Sequence, residues 1–207
     1  MRAVLVLNGE APLPERLREL ASEAPVYAAD GGAGACLDAG IRPEWVAGDM
    51  DSASSRSLPS DWKIIRVPEQ DRTDFQKVLD RLPAEIGELR ILGGLGCRLD
   101  HMITNLLIAS ELPADMRVEF ESSDCRVFRV SPACPLRQEF LPGTTLSLLP
   151  LERVEGVRTQ GLKWNLAEQT MGQGIQLGQS NLVEGPVEIE LRSGNLFVWV
   201  GLQQPSN

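Results

Sequence analysis

The sequence predicts an α/β N-terminal domain with a mostly parallel sheet, followed by an all-β sandwich C-terminal domain. Over residues 1–125, short apolar runs alternate with segments of helical periodicity, which is typical of parallel strands connected by helices. Over residues 126–207, strand patterns follow one another with turn residues between them and without an amphipathic helix. A chain of 207 residues is long enough for two domains with a core each.

The first half alternates between strand and helix patterns. Short apolar runs predict the strands, and apolar residues three and four apart predict the helices. Thr73 opens a capping-box pattern that predicts a helix start, and Gly40 is expected to end the preceding helix. The last helix is expected to place Ile103, Leu106, Leu107 and Ser110 along one side. We expect strands at residues 3–7, 26–29, 45–47, 63–67, 89–92 and 117–120, and the other helices at residues 14–22, 33–39 and 99–110.

The second half reads as an antiparallel sandwich or barrel. Turn residues recur at short intervals between its apolar runs. The last long run is interrupted at residues 193–195, which we interpret as a hairpin turn. The expected strands are at residues 127–130, 138–140, 144–149, 156–160, 173–177 and 187–200.

Charge and composition argue against several classes of protein. The net charge of −9 disfavours non-specific binding to nucleic acid, although a cation-bound nucleotide remains compatible with it. No apolar stretch approaches the roughly 20 residues that a membrane span needs. Residues 1–7 read as a buried strand rather than a signal peptide. We therefore expect a cytoplasmic protein without a nucleic-acid or membrane partner.

The cysteines and the histidine do not form a metal-binding pattern. Cys36, Cys97, Cys125 and Cys134 include no C-x-x-C pair, and His101 is the only histidine, which argues against a zinc site. Reduced thiols fit a cytoplasmic protein, and a disulfide between Cys125 and Cys134 is the alternative.

Aspartates follow the predicted parallel strands, at the edge where such sheets bind ligands. Asp49 and Asp51 lie two apart, so an extended backbone directs both carboxylates to one face, where they repel each other unless a cation lies between them. Mg²⁺ binds such carboxylates together with phosphate oxygens. A solvated acidic turn is the alternative interpretation.

The start of the third predicted helix combines an acid, a base and free backbone amides. Asp74 and Lys77 are three apart and share one side of the helix. The helix terminus offers N–H groups to an anion, so the segment suits a metal-bridged phosphate. A capped surface helix with an ordinary ion pair explains the same residues.

A glycine-rich loop at residues 93–96 precedes the fourth predicted helix. Its backbone amides suit a phosphate, and Arg98 adds a guanidinium fork, although no complete nucleotide-binding fingerprint is present. Asp100 reads as an N-cap or a site residue. His101 reads as an orienting hydrogen-bonder beside Asn105 more readily than as a general base.

One aromatic residue stands out in the second half. Trp164, with Ser180 and Asn181 further along, could stack on and hydrogen-bond a flat heterocycle. The residue pattern by itself favours core packing for Trp164.

Taken together and in order, six segments resemble the thiamine pyrophosphokinase (thiamine diphosphokinase) family. They span most of the chain, and their order makes the resemblance specific although no single motif is decisive. The segments are residues 30–33, 48–52, 70–77, 96–101 with Asn105, 161–166 and 180–181.

The resemblance implies a homodimeric enzyme that transfers the terminal diphosphate of ATP to the hydroxyethyl group of thiamine, with Mg²⁺ as cofactor, and releases AMP. It implies that catalysis depends on Asp74, Asp100, Lys77 and Arg98. It implies a thiamine pocket, completed across the dimer interface, of Trp164, Ser180 and Asn181. By motif, the magnesium ligands are Asp49, Asp51 and Asp74, and the ATP-binding residues are Asp30, Gly31, Gln70, Thr73, Lys77, Arg98 and Asp100.

Some features depart from this family or leave its chemistry open. Cys97 stands where the family commonly has a second glycine, which could crowd the phosphate. The proton of the acceptor hydroxyl is expected to pass to Asp100, with Asp74 as the second choice. Two other functions use the same residues: a diphosphokinase acting on a hydroxymethylpterin, and a non-catalytic sensor of ATP or thiamine diphosphate.

Overall fold

The computed structural model describes residues 1–50, 57–69, 71–96, 98–176 and 178–202. The chain groups into two compact units. The first contains Met1–Ile108 with Phe120–Ser123, and the second contains Ala109–Glu119 together with the chain from Asp124 onward. The domain boundary expected between residues 125 and 126 stays a prediction.

The chain up to Glu121 forms an α/β arrangement, as predicted. Strand β1 lies between β2 and β5, and β3 and β4 continue from β2, with all four pairings parallel. Strand bounds lie within one residue of the predicted ones. The elements are β1 (Arg2–Val6), α1 (Pro14–Glu23), β2 (Val26–Ala29), α2 (Ala33–Ala39), β3 (Trp45–Gly48), β4 (Ile64–Arg66), α3 (Asp74–Leu79), β5 (Glu88–Leu92), α4 (Leu99–Ser110) and β6 (Arg117–Glu121).

Local signals set the helix ends in this part of the chain. Helix α2 stops at Gly40, whose φ of 66° is a left-handed conformation that glycine adopts without strain. Helix α3 starts at a complete capping box. The Gln76 amide donates to Thr73 Oγ1 at 3.2 Å, and the Thr73 amide donates to Gln76 Oε1 at 3.0 Å. Both predicted helix ends are confirmed.

Helix α4 buries only some of its apolar side chains. Leu106 and Ala109 are buried, whereas Leu99, Ile103 and Leu107 are 66%, 44% and 49% exposed. The side of α4 that carries Ile103, Leu106 and Leu107 is therefore only partly buried. The helix is apolar on several sides, so periodicity did not determine which side faces the core.

The chain beyond Glu121 is antiparallel, which confirms the predicted all-β character of the second half. Its strands follow the order β11-β10-β12-β9-β13-β7, and β8 pairs with β12. Val157, Leu148, Ile189 and Val198 are among the residues of its core. The strands are β7 (Cys125–Val130), β8 (Leu136–Gln138), β9 (Thr145–Leu149), β10 (Val154–Leu162), β11 (Gln169–Met171), β12 (Gly178–Glu190) and β13 (Leu196–Gly201).

Several details of the predicted β region are wrong. β8 lies at Leu136–Gln138 instead of residues 138–140, β11 was not expected, and β12 begins at Gly178 instead of residue 187. Residues 173–176 form a turn instead of a strand, because Gly172 and Gly174 adopt positive φ values of 152° and 71°, while residue 177 lies outside the described residues. The expected hairpin at residues 193–195 is not one, because β9 lies between β12 and β13. The segment pairs instead with Glu155, whose amide donates to Ser193 O at 3.1 Å.

None of the helices among the described residues has the length and apolar character to cross a bilayer. Cys36, Cys125 and Cys134 are free thiols, so the alternative of a disulfide between Cys125 and Cys134 is wrong. Burial raises the pKa of the Cys36 thiol to about 12. Cys97 lies outside the described residues.

The Arg129 guanidinium binds the polypeptide at and beyond the end of α4. Its Nη1 donates to Ala109 O and Leu112 O at 2.8 and 2.7 Å, and its Nη2 donates to Pro113 O and Met116 O at 2.6 Å each. Burial lowers the pKa of Arg129 below its ordinary value. The side chain thus links four carbonyls at and beyond the end of α4, two of which, Ala109 O and Pro113 O, also accept a backbone amide.

We expect Arg129→Met to lower the free energy of unfolding by about 1–3 kcal/mol, the cost of leaving buried carbonyls without their donor. Urea denaturation followed by circular dichroism measures it. The matched control is Arg137→Met, because Arg137 is exposed and pairs only with Glu188 among the described residues. Its expected loss is about 0–1 kcal/mol. Equal losses in the two variants would refute the stabilising role of Arg129.

Candidate functional site

A cavity of about 460 Å³ lies where β1, β3 and β5 end, within the first unit. Backbone from two loops, three carboxylates and two cationic side chains face it. Its lining comprises Leu7, Asn8, Gly9, Ala29, Asp49, Arg72, Thr73, Asp74, Phe75, Lys77, Gly93, Gly94, Gly96, Asp100, His101, Thr104 and Asn105.

Lys77 is the centre of charge in this cavity. Its side chain is only 3% exposed, and its Nζ lies 3.3 Å from Asp74 Oδ1 and 3.9 Å from Asp49 Oδ2. The capping box at Thr73 starts α3 so that Asp74 and Lys77 fall on one side of the helix. Asp49 arrives from the end of β3. Two carboxylates from separate segments therefore converge on one cation.

Asp100 and Arg98 form an exposed ion pair before and within the first turn of α4. Arg98 Nη2 donates to Asp100 Oδ2 at 2.5 Å, and Arg98 Nε donates to Oδ1 at 3.1 Å. This two-point contact lowers the pKa of Asp100 to about 2 and raises that of Arg98. Asp100 lines the cavity, whereas Arg98 does not.

Helix α4 holds the glycine-rich loop through Asn105. The Asn105 side-chain amide donates to Gly94 O at 2.9 Å, and His101 and Thr104 line the cavity from the same helix. Gly94 has no room for a side chain, because a Cβ there would lie 2.7 Å from the Phe120 ring. The loop therefore keeps one position against the helix.

The segment after β2 packs against residues that precede or line the cavity. Asp30 is fully buried and lies beside Gly48, where a Cβ would approach the Asp30 Cβ to 2.5 Å. A Cβ on Gly31 would lie 2.0 Å from the Asn8 Cγ. Neither Asp30 nor Gly31 lines the cavity.

Several predicted site residues cannot be placed. Asp51, Gln70 and Cys97 lie outside the described residues. Met50, just before Asp51, has a φ of 70°, a conformation that costs a non-glycine residue energy and that clusters at functional sites. Within the part of the chain that the structure describes, no group of three or more metal-binding side chains is present.

Sequence reasoning missed Asn8, Gly9, Arg72 and Thr104 as lining residues. Asn8 and Gly9 were interpreted only as a turn after the first strand. Their position at the carboxyl end of a parallel strand was the available signal, because such ends meet at one edge of the sheet.

The predicted heterocycle-binding residues lie together in the second unit. Asn181 Oδ1 accepts from the Trp164 amide at 3.1 Å, and Asn181 Nδ2 donates to Trp164 O at 2.8 Å. The Trp164 side chain is 55% exposed, so its predicted core packing is wrong. Lys163 Nζ lies 4.8 Å from the centre of the Trp164 ring. Ser180 has a φ of 59° and its amide donates to Ser147 Oγ at 3.0 Å.

Two family models match the chain. The model of the thiamin pyrophosphokinase catalytic domain matches residues 17–120, just over half of the chain. The model of the thiamin pyrophosphokinase vitamin B1 binding domain matches residues 134–196.

Curated relatives carry the same family name. Thiamine pyrophosphokinase 2 of Oryza sativa subsp. japonica is 31% identical over 178 residues, which cover 76% of this chain and 64% of that protein. Thiamine pyrophosphokinase 2 of Arabidopsis thaliana is 31% identical over 175 residues, with the same coverage. The chain thus spans a little under two thirds of the length of these relatives.

Solved structures share the fold. Thiamine pyrophosphokinase from Bacillus subtilis superposes with a TM-score of 0.81 at 19% identity, covering 99% of this chain and 100% of that one. Thiamin pyrophosphokinase from Candida albicans superposes with a TM-score of 0.78 at 17% identity, covering 98% and 89%. Together with the match of the catalytic-domain model to just over half of the sequence, the order of the site segments leads to one conclusion: the chain belongs to the thiamin pyrophosphokinase family.

Proposed function

We propose that the protein is a thiamine diphosphokinase, which transfers the diphosphate of ATP to the hydroxyethyl oxygen of thiamine and releases AMP. The observation that carries the proposal is the convergence of Asp49, Asp74 and Lys77 on one cavity in a member of this family. Phosphoryl-transfer enzymes act mainly by positioning and by neutralising phosphate charge, and this cavity supplies groups for both.

The cavity is proposed to hold the triphosphate of ATP. The glycine-rich loop offers backbone amides, and Thr73 and Lys77 face the cavity from the start of α3. Asp30 packs against Gly48, the residue before Asp49, and Gly31 packs against Asn8 of the lining. Both, with Gln70, are proposed to belong to the ATP site. Asp100 and Arg98 complete the set at the start of α4.

Magnesium is proposed to bind Asp49, Asp51 and Asp74. The described part of this site fits a cation, because Asp49 and Asp74 both lie within 4 Å of one ammonium nitrogen. Oxygen ligands of this kind suit Mg²⁺. When bound, the ion supplies positive charge to the phosphate oxygens.

The proposed reaction forms one bond and breaks one. The hydroxyethyl oxygen of thiamine bonds to the β-phosphorus of ATP, the bond from that phosphorus to the α–β bridging oxygen breaks, and AMP leaves. Lys77 and Arg98 stabilise the charge that develops on the transferred group and on AMP. The hydroxyl proton passes to a carboxylate.

The low pKa of Asp100 makes it a weak proton acceptor while Arg98 holds it. We propose that Arg98 turns to the phosphates when ATP binds. The loss of the ion pair then raises the pKa of Asp100 towards its ordinary value and prepares it to accept the proton. Asp74 is the alternative acceptor.

Thiamine is proposed to bind at Trp164, Ser180 and Asn181. The exposed Trp164 indole offers a flat apolar face, and the Asn181 side chain fixes the backbone on both sides of that indole. The face already attracts the Lys163 ammonium, so it suits the cationic thiazolium of thiamine. We propose a homodimer in which this pocket meets the ATP cavity of the partner subunit.

AMP release in the presence of ATP and Mg²⁺ tests the proposed function. We expect AMP to accumulate with thiamine and not with a hydroxymethylpterin or without an acceptor, because the second unit matches a vitamin B1 binding domain. Chromatographic separation of AMP, ADP and ATP provides the measurement. AMP formed only with the pterin would reject thiamine as the acceptor, and no AMP with any acceptor would favour a sensor.

Asp49→Asn and Asp74→Asn should each lower the turnover number at least about 100-fold, the loss typical when a charge-stabilising group is removed. Asp61→Asn is the matched control, since Asp61 is exposed and pairs with Arg42 outside the cavity lining. Far-ultraviolet circular dichroism should be unchanged in all three variants. Turnover near that of the wild type in both site variants would remove the basis for the metal site.

Trp164→Ala should raise the KM for thiamine by roughly 2- to 12-fold, which corresponds to about 0.5–1.5 kcal/mol of aromatic contact. The KM for ATP should stay within about twofold, because the indole belongs to the proposed thiamine pocket. Trp164→Phe keeps a flat ring and should retain most of the affinity. Steady-state kinetics with each substrate varied in turn separates the two constants. An unchanged KM for thiamine in the alanine variant would exclude stacking on Trp164.

A further inference from the structure

Asn8 is an exposed residue that lines the cavity. The backbone around it continues the pairing of β1 with β5 into the loops. The Leu7 amide donates to Leu92 O at 2.8 Å, and the Gly9 amide donates to Gly93 O at 2.7 Å. A Cβ on Gly9 would lie 2.3 Å from Gly93 O, so the two loops are in direct contact. Asn8 is therefore held on an extension of the central sheet.

Gly31 makes room for the Asn8 side chain. A Cβ at Gly31 would lie 2.0 Å from Asn8 Cγ and 2.3 Å from both Asn8 Cβ and Oδ1. Such distances are incompatible with any side chain at position 31 while Asn8 keeps its place. The space that a glycine leaves open at this position is thus filled by an amide that faces the cavity.

The cationic groups around the cavity already face carboxylates. Lys77 lies between Asp49 and Asp74, and Arg98 is paired with Asp100. Arg72 Nη1 lies 3.1 Å from Asp80 Oδ2. An anion that enters this acidic cavity meets a net repulsion unless other donors are available.

Besides the backbone amides of the glycine-rich loop, side-chain amides are uncharged donors, and the two asparagines of the lining differ. Asn105 uses its amide to hold Gly94 O. The Asn8 side chain has no hydrogen bond to another residue in the described ranges 1–50, 57–69, 71–96, 98–176 and 178–202. Asn8 is exposed, and its backbone is held by the neighbouring loop, so its side-chain amide can donate an N–H to a bound ligand without reordering of the backbone.

We propose that the Asn8 side-chain amide binds a phosphate oxygen of the nucleotide. That the ligand is a nucleotide rests on the proposed function. Asn8 precedes residue 17, where the match to the family's catalytic-domain model begins. The amide donates a hydrogen bond to a negatively charged oxygen without adding charge to a cavity whose charges are already paired.

Direct binding without thiamine tests the role of Asn8. Isothermal titration calorimetry with MgATP should show a Kd raised about 10- to 100-fold in Asn8→Ala, the range for one hydrogen bond to a charged group. Asn8→Asp has the same shape but replaces the donor by a carboxylate, so its Kd should rise at least as much. Gln138→Glu is the matched control, because it makes the same chemical change on exposed β8, and its Kd should be unchanged.

Two further probes locate the contact on the nucleotide. Inorganic tripolyphosphate should lose affinity in Asn8→Ala to the same degree as ATP, and adenosine should lose none. Loss of adenosine affinity with tripolyphosphate affinity retained would overturn the phosphate contact. ATP affinity within twofold of the wild type in both Asn8 variants would overturn the proposal altogether, as would a wild-type chain that does not bind ATP.

A paired substitution links the amide to its supporting glycine. Gly31→Ala should weaken MgATP binding because it displaces Asn8, and it should weaken it no further when Asn8→Gly has already removed the side chain. Additive losses would show that Gly31 acts independently of Asn8 and would contradict the proposed support. Because these measurements omit thiamine, a chain that binds ATP through Asn8 but forms no AMP would reject the enzyme activity and leave this inference intact.

Discussion

A buried ammonium is stable only where opposite charge surrounds it, and the site of this protein depends on that requirement. Lys77 is almost wholly removed from water, and desolvation of an unpaired ammonium costs several kcal/mol. Asp74 from its own helix and Asp49 from the end of β3 meet that requirement together. The same constraint holds two carboxylates close enough to share a cation.

The parallel sheet gives this charge cluster its surroundings. β1, β3 and β5 end at one edge, so the loops that follow them meet although they are far apart in the sequence. Glycines at the points of contact allow the loops to approach at backbone distance, as Gly9 and Gly93 do. These backbone contacts alone bring the two loops together beside the cavity.

Sequence reasoning succeeded where the determining interaction is local. The capping box at Thr73, the left-handed Gly40 and the buried runs of β1 to β5 each depend on residues within a few positions of one another. The parallel arrangement followed from the alternation of these elements, and the ion pair of Asp74 with Lys77 from helical spacing.

Long-range choices could not be read from the sequence in the same way. β9 inserts between β12 and β13, which were expected to form a hairpin, because the partners of a strand depend on the whole core. Trp164 is exposed and Ile103 lies on the outer side of α4, since an apolar residue does not itself specify what covers it. Asn8 resembled an ordinary turn residue because its contact with Gly31 spans 23 positions of the sequence.

Because Arg129 of β7 binds carbonyls at and beyond the end of α4, it limits where segments of such chains can be exchanged between relatives. Helix α4 begins among cavity residues, and the carbonyls at and beyond its end depend on a guanidinium from β7. A cut between the α/β pattern and the β pattern of the sequence would separate that helix from its cap. Exchange of modules between relatives at this point would therefore transfer a helix without the guanidinium that binds the carbonyls at and beyond its end. A segment exchanged together with α4 and its contacts to Arg129 would have to extend at least through β7.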